Sequence, residues 1–206
     1  MANPAPSPAP VTALVLAAGG GRRLGGRPKA LIRYRGRTLL EHTLAVARAG
    51  GCAATVAVLG AAGEEVRATA ALGDCLAVDN PDWATGMGSS LRAGLAALHP
   101  GTPAVLVLLV DTPGVTPAAV ARLLAAHAAG AELAAAGYDG RRGHPVLIGA
   151  RYFAETASTA VGDAGARALL AAHPQALRLV ECGDVAGPED LDTPEDLARW
   201  TGPQAD

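Results

Sequence analysis

The stretch from residue 14 to residue 31, LVLAAGGGRRLGGRPKAL, most constrains the fold of this chain, because an apolar run there ends abruptly in glycines. Such a run predicts a buried β-strand that enters a tight loop. Glycines let backbone N–H groups approach a ligand closely, and consecutive amides can form an anion-binding concavity. Arg22, Arg23, Arg27 and Lys29 add positive charge to the loop. The stretch therefore predicts a polyphosphate site at the end of a strand.

Lys29 is notable because the chain contains sixteen arginines and one lysine. Lysine supplies a compact charge on a flexible stem and does not replace arginine at a binding site. We therefore expect a functional role for Lys29, with a solvated loop lysine as the alternative.

Two standard phosphate-binding motifs do not match this loop. A P-loop needs a glycine before its lysine and a serine or threonine after it, whereas here the neighbours are Pro28 and Ala30. The dinucleotide fingerprint, counted from Gly19 and Gly21, needs a glycine where Leu24 stands. The loop therefore belongs to neither class.

The loop instead resembles the signature of MobA-like nucleotidyltransferases. The matching residues are Leu16, Ala17, Ala18, Gly19, Gly20, Arg23, Leu24, Gly25 and Lys29. Enzymes of that family join a nucleoside monophosphate to a phosphorylated acceptor and release pyrophosphate. The resemblance implies catalytic roles for Arg23 and Lys29, and nucleotide contacts from Leu16, Ala17, Ala18, Gly19, Gly20, Gly21, Arg22 and Lys29.

The predicted fold class is α/β, and the resemblance implies a Rossmann-like three-layer α/β/α architecture with a mostly parallel, twisted sheet, as in nucleotide-diphospho-sugar transferases. A chain of 206 residues, about 50% of them apolar, can bury one sizeable core. Residues 1–10, rich in alanine and proline, predict a disordered tail. Residues 11–206 are predicted to form a single nucleotidyltransferase domain.

Composition argues against several classes of partner. A net charge of −2, without a basic stripe interleaved with aromatics, argues against nucleic acid. The longest apolar run, residues 104–110, is too short to span a bilayer, and no signal peptide is evident. Cys52, Cys75 and Cys182 are widely spaced, as expected for free thiols in a reducing compartment. These features predict a cytoplasmic protein.

Hydrophobic runs and turn signals predict the remaining elements. Strands are expected at 11–16, 53–59, 75–78, 104–110, 132–138, 146–148 and 177–181, with a short extended piece at 30–34. Helices are expected at 38–49, 64–72, 116–129, 151–155 and 162–172, and after Thr193. Thr38 and Thr116 are predicted N-caps, with Pro117 in the first turn after Thr116.

Residues 79–98, DNPDWATGMGSSLRAGLAAL, form the second informative stretch. A strand ends in Asp-Asn-Pro, a glycine-punctuated loop follows, and Ser89 or Ser90 is predicted to cap a helix. Such a helix start can bind a phosphate or a base edge, although an ordinary capped helix is an equally good reading. The pattern is typical of the molybdenum cofactor cytidylyltransferase branch, and that resemblance implies nucleotide contacts from Asn80, Gly88, Ser89 and Ser90.

Three aspartates are candidate metal ligands. Asp111 follows the most hydrophobic run, and ligands of doubly wound sheets bind outside the carboxyl ends of the strands. The alternative is that Asp111 caps the next helix. The family's D-x-P motif, matched by Asp111 and Pro113, binds Mg²⁺. Asp190 and Asp192 flank Leu191 late in the chain and could share the ion, with Asp192 favoured. We expect Mg²⁺, with Mn²⁺ as an alternative.

The acceptor side is predicted only through the resemblance. The sequence R-G-H-P is a mark of the same branch, where this region faces the pterin acceptor, which makes Arg142 and His144 candidates for binding it. Arg167, in a G-D-A-G-A-R segment, could reach a phosphate. The alternatives are a structural histidine and a solvated arginine.

The reaction implied is transfer of CMP from CTP to the phosphate of molybdopterin, with release of pyrophosphate and delivery of the product to a molybdoenzyme. GTP is the nearest alternative nucleotide. Two other classes stay open: a nicotinamide-dependent oxidoreductase, since some relatives of the branch carry that label, and a carrier that delivers the cofactor without chemistry.

Overall fold

A computed structural model describes residues 10–201. Its main feature is a seven-stranded sheet with the strand order β5-β4-β1-β6-β8-β7-β9. The strands are β1 (Val11–Ala17), β4 (Ala54–Leu59), β5 (Leu76–Asp79), β6 (Ala104–Leu109), β7 (Leu133–Tyr138), β8 (Arg141–Gly149) and β9 (Leu177–Glu181). Only β8 runs antiparallel to its neighbours β6 and β7. Strands β2 (Arg33–Tyr34) and β3 (Arg37–Thr38) form a separate hairpin.

Helices cover both faces of this sheet. They are α1 (Leu39–Ala49), α2 (Gly63–Thr69), α3 (Met87–Ala96), α4 (Pro117–Ala128), α5 (Phe153–Thr159), α6 (Arg167–Ala172) and α7 (Pro194–Thr201). One apolar core joins the sheet to α1, α2 and α4. A second core on the opposite face joins it to α3, α5 and α6. The predicted three-layer α/β/α fold with a mostly parallel sheet is confirmed.

Strand β1 shows why the sequence folds in this way. Ala13 and Val15 point into one core, whereas Leu14 and Leu16 point into the other. Successive side chains of a strand alternate between faces, so an unbroken apolar run is what a strand buried on both sides requires. The predicted strand therefore lies at the centre of the sheet, between β4 and β6.

The two predicted threonine caps are confirmed. The Thr38 hydroxyl accepts a hydrogen bond from the Glu41 backbone, and the Glu41 carboxylate accepts one from the Thr38 backbone at 2.6 Å. This reciprocal capping box satisfies two backbone donors at the start of α1. Thr116 likewise caps α4, with Pro117 at the first helical position.

The predicted serine cap of α3 is wrong. The helix begins two residues earlier than Ser89, at Met87, and Gly86 is its N-cap. The φ angle of 116° at Gly86 lies in a region that favours glycine, so the glycine sets the start of the helix. Ser89 and Ser90 lie in the first turns and are buried.

Two predicted strands differ in extent. The piece at 30–34 is a 3₁₀ turn (Lys29–Leu31) followed by β2. Strand β8 begins at Arg141 instead of residue 146, because positive φ angles at Asp139 and Gly140 close a two-residue hairpin that pairs Tyr138 with Arg141. The predicted tail at residues 1–10 lies outside the described residues, except for Pro10. Between residues 10 and 201, no helix has both the length and the apolar character needed to cross a membrane.

Candidate active site

A cavity of about 410 Å³ opens at the carboxyl ends of β1 and β6, a size suited to a small-molecule ligand. Its walls come from the glycine loop, the segment before α3 and three aspartates from separate parts of the chain. The lining residues are Leu16, Ala18, Gly19, Gly20, Gly21, Arg22, Arg23, Lys29, Trp83, Ala84, Thr85, Gly86, Met87, Ser90, Leu109, Val110, Asp111, Asp163 and Asp192. We call this the first cavity.

Strand register explains why distant parts of the chain meet here. Leu16 of β1 pairs with Leu109 of β6, so the glycine loop and Asp111 leave the sheet at the same edge. Ligands of open α/β sheets bind in this position. Further along, the Leu191 N–H donates to the Asp111 carbonyl at 2.8 Å. That backbone bond, together with the complete burial of Leu191, holds Asp192 beside Asp111.

Lys29 joins the two carboxylates. Its Nζ lies 2.7 Å from Asp111 Oδ2 and also donates to Asp192 Oδ1. The Lys29 side chain is only 15% exposed. Burial by itself lowers the pKa of this ammonium, but the charges and hydrogen bonds of Asp111 and Asp192 outweigh burial and hold the pKa above its usual range. Arg23 approaches Asp192 Oδ2 at 3.4 Å and is largely exposed.

The donor set fits a divalent cation that also binds phosphate. Mg²⁺ is usually held by one or two carboxylates together with substrate phosphate oxygens and water. Asp111, just after β6, and Asp192, in the loop before α7, supply two such carboxylates to the first cavity. Over residues 10–201, no group of three or more His, Cys, Asp or Glu side chains is arranged to hold a metal without a ligand's help. The arrangement therefore fits a metal that arrives with a polyphosphate.

Asp190, the third predicted metal ligand, lines a neighbouring cavity instead. Burial raises the pKa of Asp190, and the negative charges of Asp111 and Asp192 raise it further. Asp111 and Asp192 thus line the first cavity, and Asp190 lines the second at a distance where their charges still act on it.

The glycine loop is folded tightly on itself. Gly21 has a φ of 60°, and a Cβ atom there would lie 1.7 Å from the Arg27 carbonyl oxygen. The Gly21 carbonyl accepts the N–H groups of Leu24 and Gly26 at 2.8 and 3.1 Å. Only glycine fits this conformation and this close approach. Of the predicted nucleotide contacts on the loop, only Ala17 faces the core instead of the cavity.

Three predicted nucleotide contacts in the second informative stretch, residues 79–98, also lie outside the first cavity. The buried Asn80 amide donates to the hydroxyls of Ser89 and Ser90 at 2.8 and 3.0 Å, which ties the end of β5 to α3. Gly88 packs against Ala160, whose carbonyl oxygen would lie 2.5 Å from a Cβ at that position. Ser90 lines the first cavity, whereas Asn80, Gly88 and Ser89 do not.

A second cavity of about 300 Å³ adjoins the first and shares Leu16, Met87, Leu109 and Asp163 with it. Arg142, His144 and Arg167, the three predicted acceptor residues, all line this second cavity. His144 Nδ1 is buried without a hydrogen-bond partner, and burial lowers the pKa of the imidazole. The second cavity therefore combines two arginines and two aspartates with an imidazole whose Nδ1 has no hydrogen-bond partner.

Trp83 and Asp163 are among the residues of the first cavity that sequence reasoning missed. Trp83 packs over the glycine loop, since a Cβ on Gly20 would lie 3.2 Å from the indole ring. Asp163 borders both cavities and accepts a 3.3 Å hydrogen bond from the Met87 N–H at the start of α3. Trp83 lies in the stretch 79–98 and Asp163 in the G-D-A-G-A-R segment, both quoted above. Their positions in these motifs were the sequence signal that could have identified them.

Known proteins of similar sequence carry different names. The nicotine blue oxidoreductase of Paenarthrobacter nicotinovorans is 45% identical over 196 residues, which is 92% of this chain and 95% of that protein. The molybdenum cofactor guanylyltransferase of Acidiphilium cryptum is 38% identical over 144 residues, covering 69% of this chain and 68% of its own length.

A solved structure gives the same architecture. The manganese complex of Rv0371c from Mycobacterium tuberculosis H37Rv superimposes with a TM-score of 0.77 and is 33% identical, over 95% of this chain and 100% of the other. The model of one protein family, the MobA-like NTP transferase domain, matches residues 13–177. That match includes the glycine loop, Asp111 and the acceptor-side arginines. The chain therefore belongs to the MobA-like NTP transferase family, a family of nucleotidyltransferases.

Proposed function

We propose that this protein transfers CMP from CTP to the phosphate of molybdopterin and releases pyrophosphate, as one domain over residues 11–206. The observation that carries the proposal is the pair of adjoining cavities: one pairs a glycine loop with Lys29, Asp111 and Asp192, and the other holds two arginines. A transferase must hold two substrates side by side, and these cavities share a wall formed by Leu16, Met87, Leu109 and Asp163.

On the nucleotide side, the glycine-loop amides would bind the triphosphate and Arg23 and Lys29 would neutralise its charge. Ser90 and Trp83 line the same cavity and would contact the nucleoside. Asp111 and Asp192 would hold Mg²⁺ or Mn²⁺; the manganese in the Mycobacterium tuberculosis relative supports a divalent ion. When bound, such an ion neutralises phosphate oxygens and polarises the reacting phosphoryl group.

On the acceptor side, Arg142 and Arg167 would bind the acceptor phosphate, since guanidinium groups match phosphate geometry. His144, kept neutral by burial, would make a hydrogen bond to the acceptor ring through its unpartnered Nδ1. Asp190 lines the same cavity and lies close enough to Asp111 and Asp192 for their charges to raise its pKa.

The chemical step would be an in-line displacement. An oxygen of the acceptor phosphate attacks the α-phosphorus of CTP and forms a new P–O–P linkage. The bond between the α-phosphorus and the bridging oxygen to the β-phosphorus breaks, and that oxygen leaves with its electron pair as pyrophosphate. This chemistry asks the protein mainly for positioning and charge stabilisation.

CTP is favoured over GTP by the combination of N-P-D-W-x-x-G-M, R-G-H-P-V and D-x-D-T-P-E-D-L, which is typical of the cytidylyltransferase branch. The Acidiphilium cryptum relative, named a guanylyltransferase, supports GTP as the alternative. The reaction would take place in the cytoplasm, and its product would pass to a molybdoenzyme. Free cysteines at 52, 75 and 182 agree with a reducing compartment.

A second candidate function is oxidoreduction. The observation that favours it is the 45% identity to the nicotine blue oxidoreductase across nearly the whole of both chains. The glycine loop lacks the dinucleotide fingerprint, which disfavours a nicotinamide cofactor bound in the usual way. The test is absorbance of nicotine blue in the presence of NADH or NADPH, with and without the protein.

The test of the main proposal is pyrophosphate release with CTP, GTP, ATP and UTP in turn, with Mg²⁺ or Mn²⁺, and with and without molybdopterin. Release with CTP that requires the pterin supports the proposal. Release with GTP keeps the mechanism and changes the base. No release with any nucleotide, from folded protein and active acceptor, rejects the transferase proposal and favours the oxidoreductase.

A further inference from the structure

The Lys29 ammonium occupies the space between the two carboxylates of the first cavity. It donates to Asp111 Oδ2 at 2.7 Å and to Asp192 Oδ1, and both aspartates line the cavity. All three side chains are at least partly buried, with exposed fractions of 15%, 22% and 37% in the order given. Lys29 thus already offsets part of the negative charge that would bind a cation.

An ammonium and a divalent cation compete for such a pair of oxygens. Two positive charges a few ångströms apart repel strongly where protein walls limit screening by water. For a metal to bind both carboxylates, Lys29 must leave them, and a buried charge needs another anion to go to. The same cavity contains the glycine-loop amides, which are suited to a triphosphate.

We propose that Lys29 is the internal counterion of the Asp111–Asp192 pair in the free protein and moves to the nucleotide's phosphates when these enter. The free protein then binds divalent metal weakly, and nucleotide and metal bind with positive coupling in both directions. A lysine suits this exchange because its charge is compact and its stem flexible. The inference rests on the proposed nucleotide site.

The first experiment measures Mn²⁺ binding to nucleotide-free protein by the electron paramagnetic resonance signal of unbound Mn²⁺. Lys29→Met leaves the two carboxylates without their shared ammonium, and we expect its Mn²⁺ affinity to rise at least tenfold over wild type. Arg67→Met is the matched control, because it removes one positive charge and frees a single exposed carboxylate, Asp79, to which Arg67 is bonded at 2.7 Å. Its affinity should equal that of wild type.

A double variant, Lys29→Met with Asp111→Asn, tests where the gain arises. We expect it to lose the extra affinity, and circular dichroism melting confirms that each variant is folded. An affinity of Lys29→Met no greater than that of wild type and Arg67→Met overturns the proposal. A gain that survives in the double variant also overturns it, since the ion then binds elsewhere.

The wild-type protein offers a second test that needs no substitution. Because the chain has one lysine, protein labelled with ¹³C at lysine Cε gives a single NMR resonance from Lys29. We expect millimolar Mg²⁺ alone to leave this resonance nearly unchanged, and Mg²⁺ with a non-hydrolysable CTP analogue to shift it. An equal shift with Mg²⁺ alone contradicts the proposal.

These readouts separate the inference from the proposed function. The gain in Mn²⁺ affinity in Lys29→Met requires no turnover and no particular base. Tight metal binding by that variant together with no pyrophosphate release from wild type would reject the function and leave the counterion role standing. Pyrophosphate release from wild type, without a gain in Mn²⁺ affinity in Lys29→Met, would support the proposed function and overturn the counterion role.

Discussion

Lys29 Nζ lies 2.7 Å from Asp111 Oδ2, although the two residues are 82 positions apart in the chain. The contact joins the glycine loop after β1 to the end of β6, across two neighbouring parallel strands. Asp192 comes to the same ammonium from a third segment of the chain. The central electrostatic group of the first cavity is therefore assembled from three separate parts of the sequence.

Replacing Lys29 by arginine should abolish most activity while keeping the charge. A planar guanidinium is larger than an ammonium and cannot occupy the same space between the two carboxylates. Removing one such donor typically costs on the order of a hundred- to a thousandfold in rate. The measurement is the rate of pyrophosphate release at saturating CTP and acceptor.

The control for this exchange is Arg27→Lys, in the same loop. Arg27 is exposed and does not line the first cavity, so the rate of pyrophosphate release by Arg27→Lys should stay within about twofold of wild type. Full activity of Lys29→Arg would remove the assigned role, and equal losses in both variants would point to a general disturbance of the loop.

Substituting Arg142 or Arg167 by alanine should weaken acceptor binding selectively. A hydrogen bond to a charged group contributes about 1.5–3 kcal/mol, which corresponds to a rise of roughly ten- to a hundredfold in the KM for the acceptor. The KM for CTP should change little, because both side chains line only the second cavity. Steady-state kinetics with each substrate varied in turn measures the two constants. Arg178→Ala, on exposed β9, is the control.

Asn80→Ala should reduce stability more than nucleotide binding. The buried amide donates to two serine hydroxyls, and leaving such groups without partners costs about 1–3 kcal/mol. Urea unfolding measures the change in the free energy of unfolding. The control is Ser158→Ala, which removes an exposed hydroxyl and should change the free energy of unfolding by less than about 0.5 kcal/mol. A large rise in the KM for CTP with unchanged stability would instead support the ligand role expected from the motif.

Glu41→Gln should lower stability at neutral pH and have little effect in acid. Hydrogen bonds from the Ala71 and Thr38 backbones hold the pKa of Glu41 below its ordinary value of 4.5. The unfolded chain therefore takes up the proton first, so the stabilisation is fully present above about pH 4.5 and is lost as the pH falls through the lower folded pKa.

Thermal unfolding from pH 7 to pH 3 tests this dependence. The capping box is worth about 1 kcal/mol at pH 7, and the difference between wild type and Glu41→Gln should close towards pH 3. Glu64 is an exposed acid in the first turn of α2, and Glu64→Gln provides the comparison. It should lower the free energy of unfolding at pH 7 by less than Glu41→Gln does. A difference that stays constant with pH would show that Glu41 does not act through its charge.

Local features of the sequence determined the elements and their caps. The apolar run of β1 alternates between two cores, and Thr38 and Thr116 each cap a helix, because these outcomes depend on residues close together in the chain. The start of α3 escaped prediction. Serine is a common N-cap residue, so the sequence favoured Ser89 or Ser90. The observed N-cap is Gly86, whose positive φ depends on the tertiary packing around it.

Sequence patterns alone identify the residues that could carry the chemistry: a glycine loop with one lysine, an aspartate after the central strand and a late pair of aspartates. Their partners depend on the three-dimensional fold. Strand order and the hydrogen bond from Leu191 to Asp111 bring Asp192 to Lys29, whereas Asp190 faces the second cavity. Asn80 and Ser89 lie outside the first cavity and are buried and hydrogen-bonded to each other. Such outcomes depend on the register between segments distant in the chain, which local residue patterns do not specify.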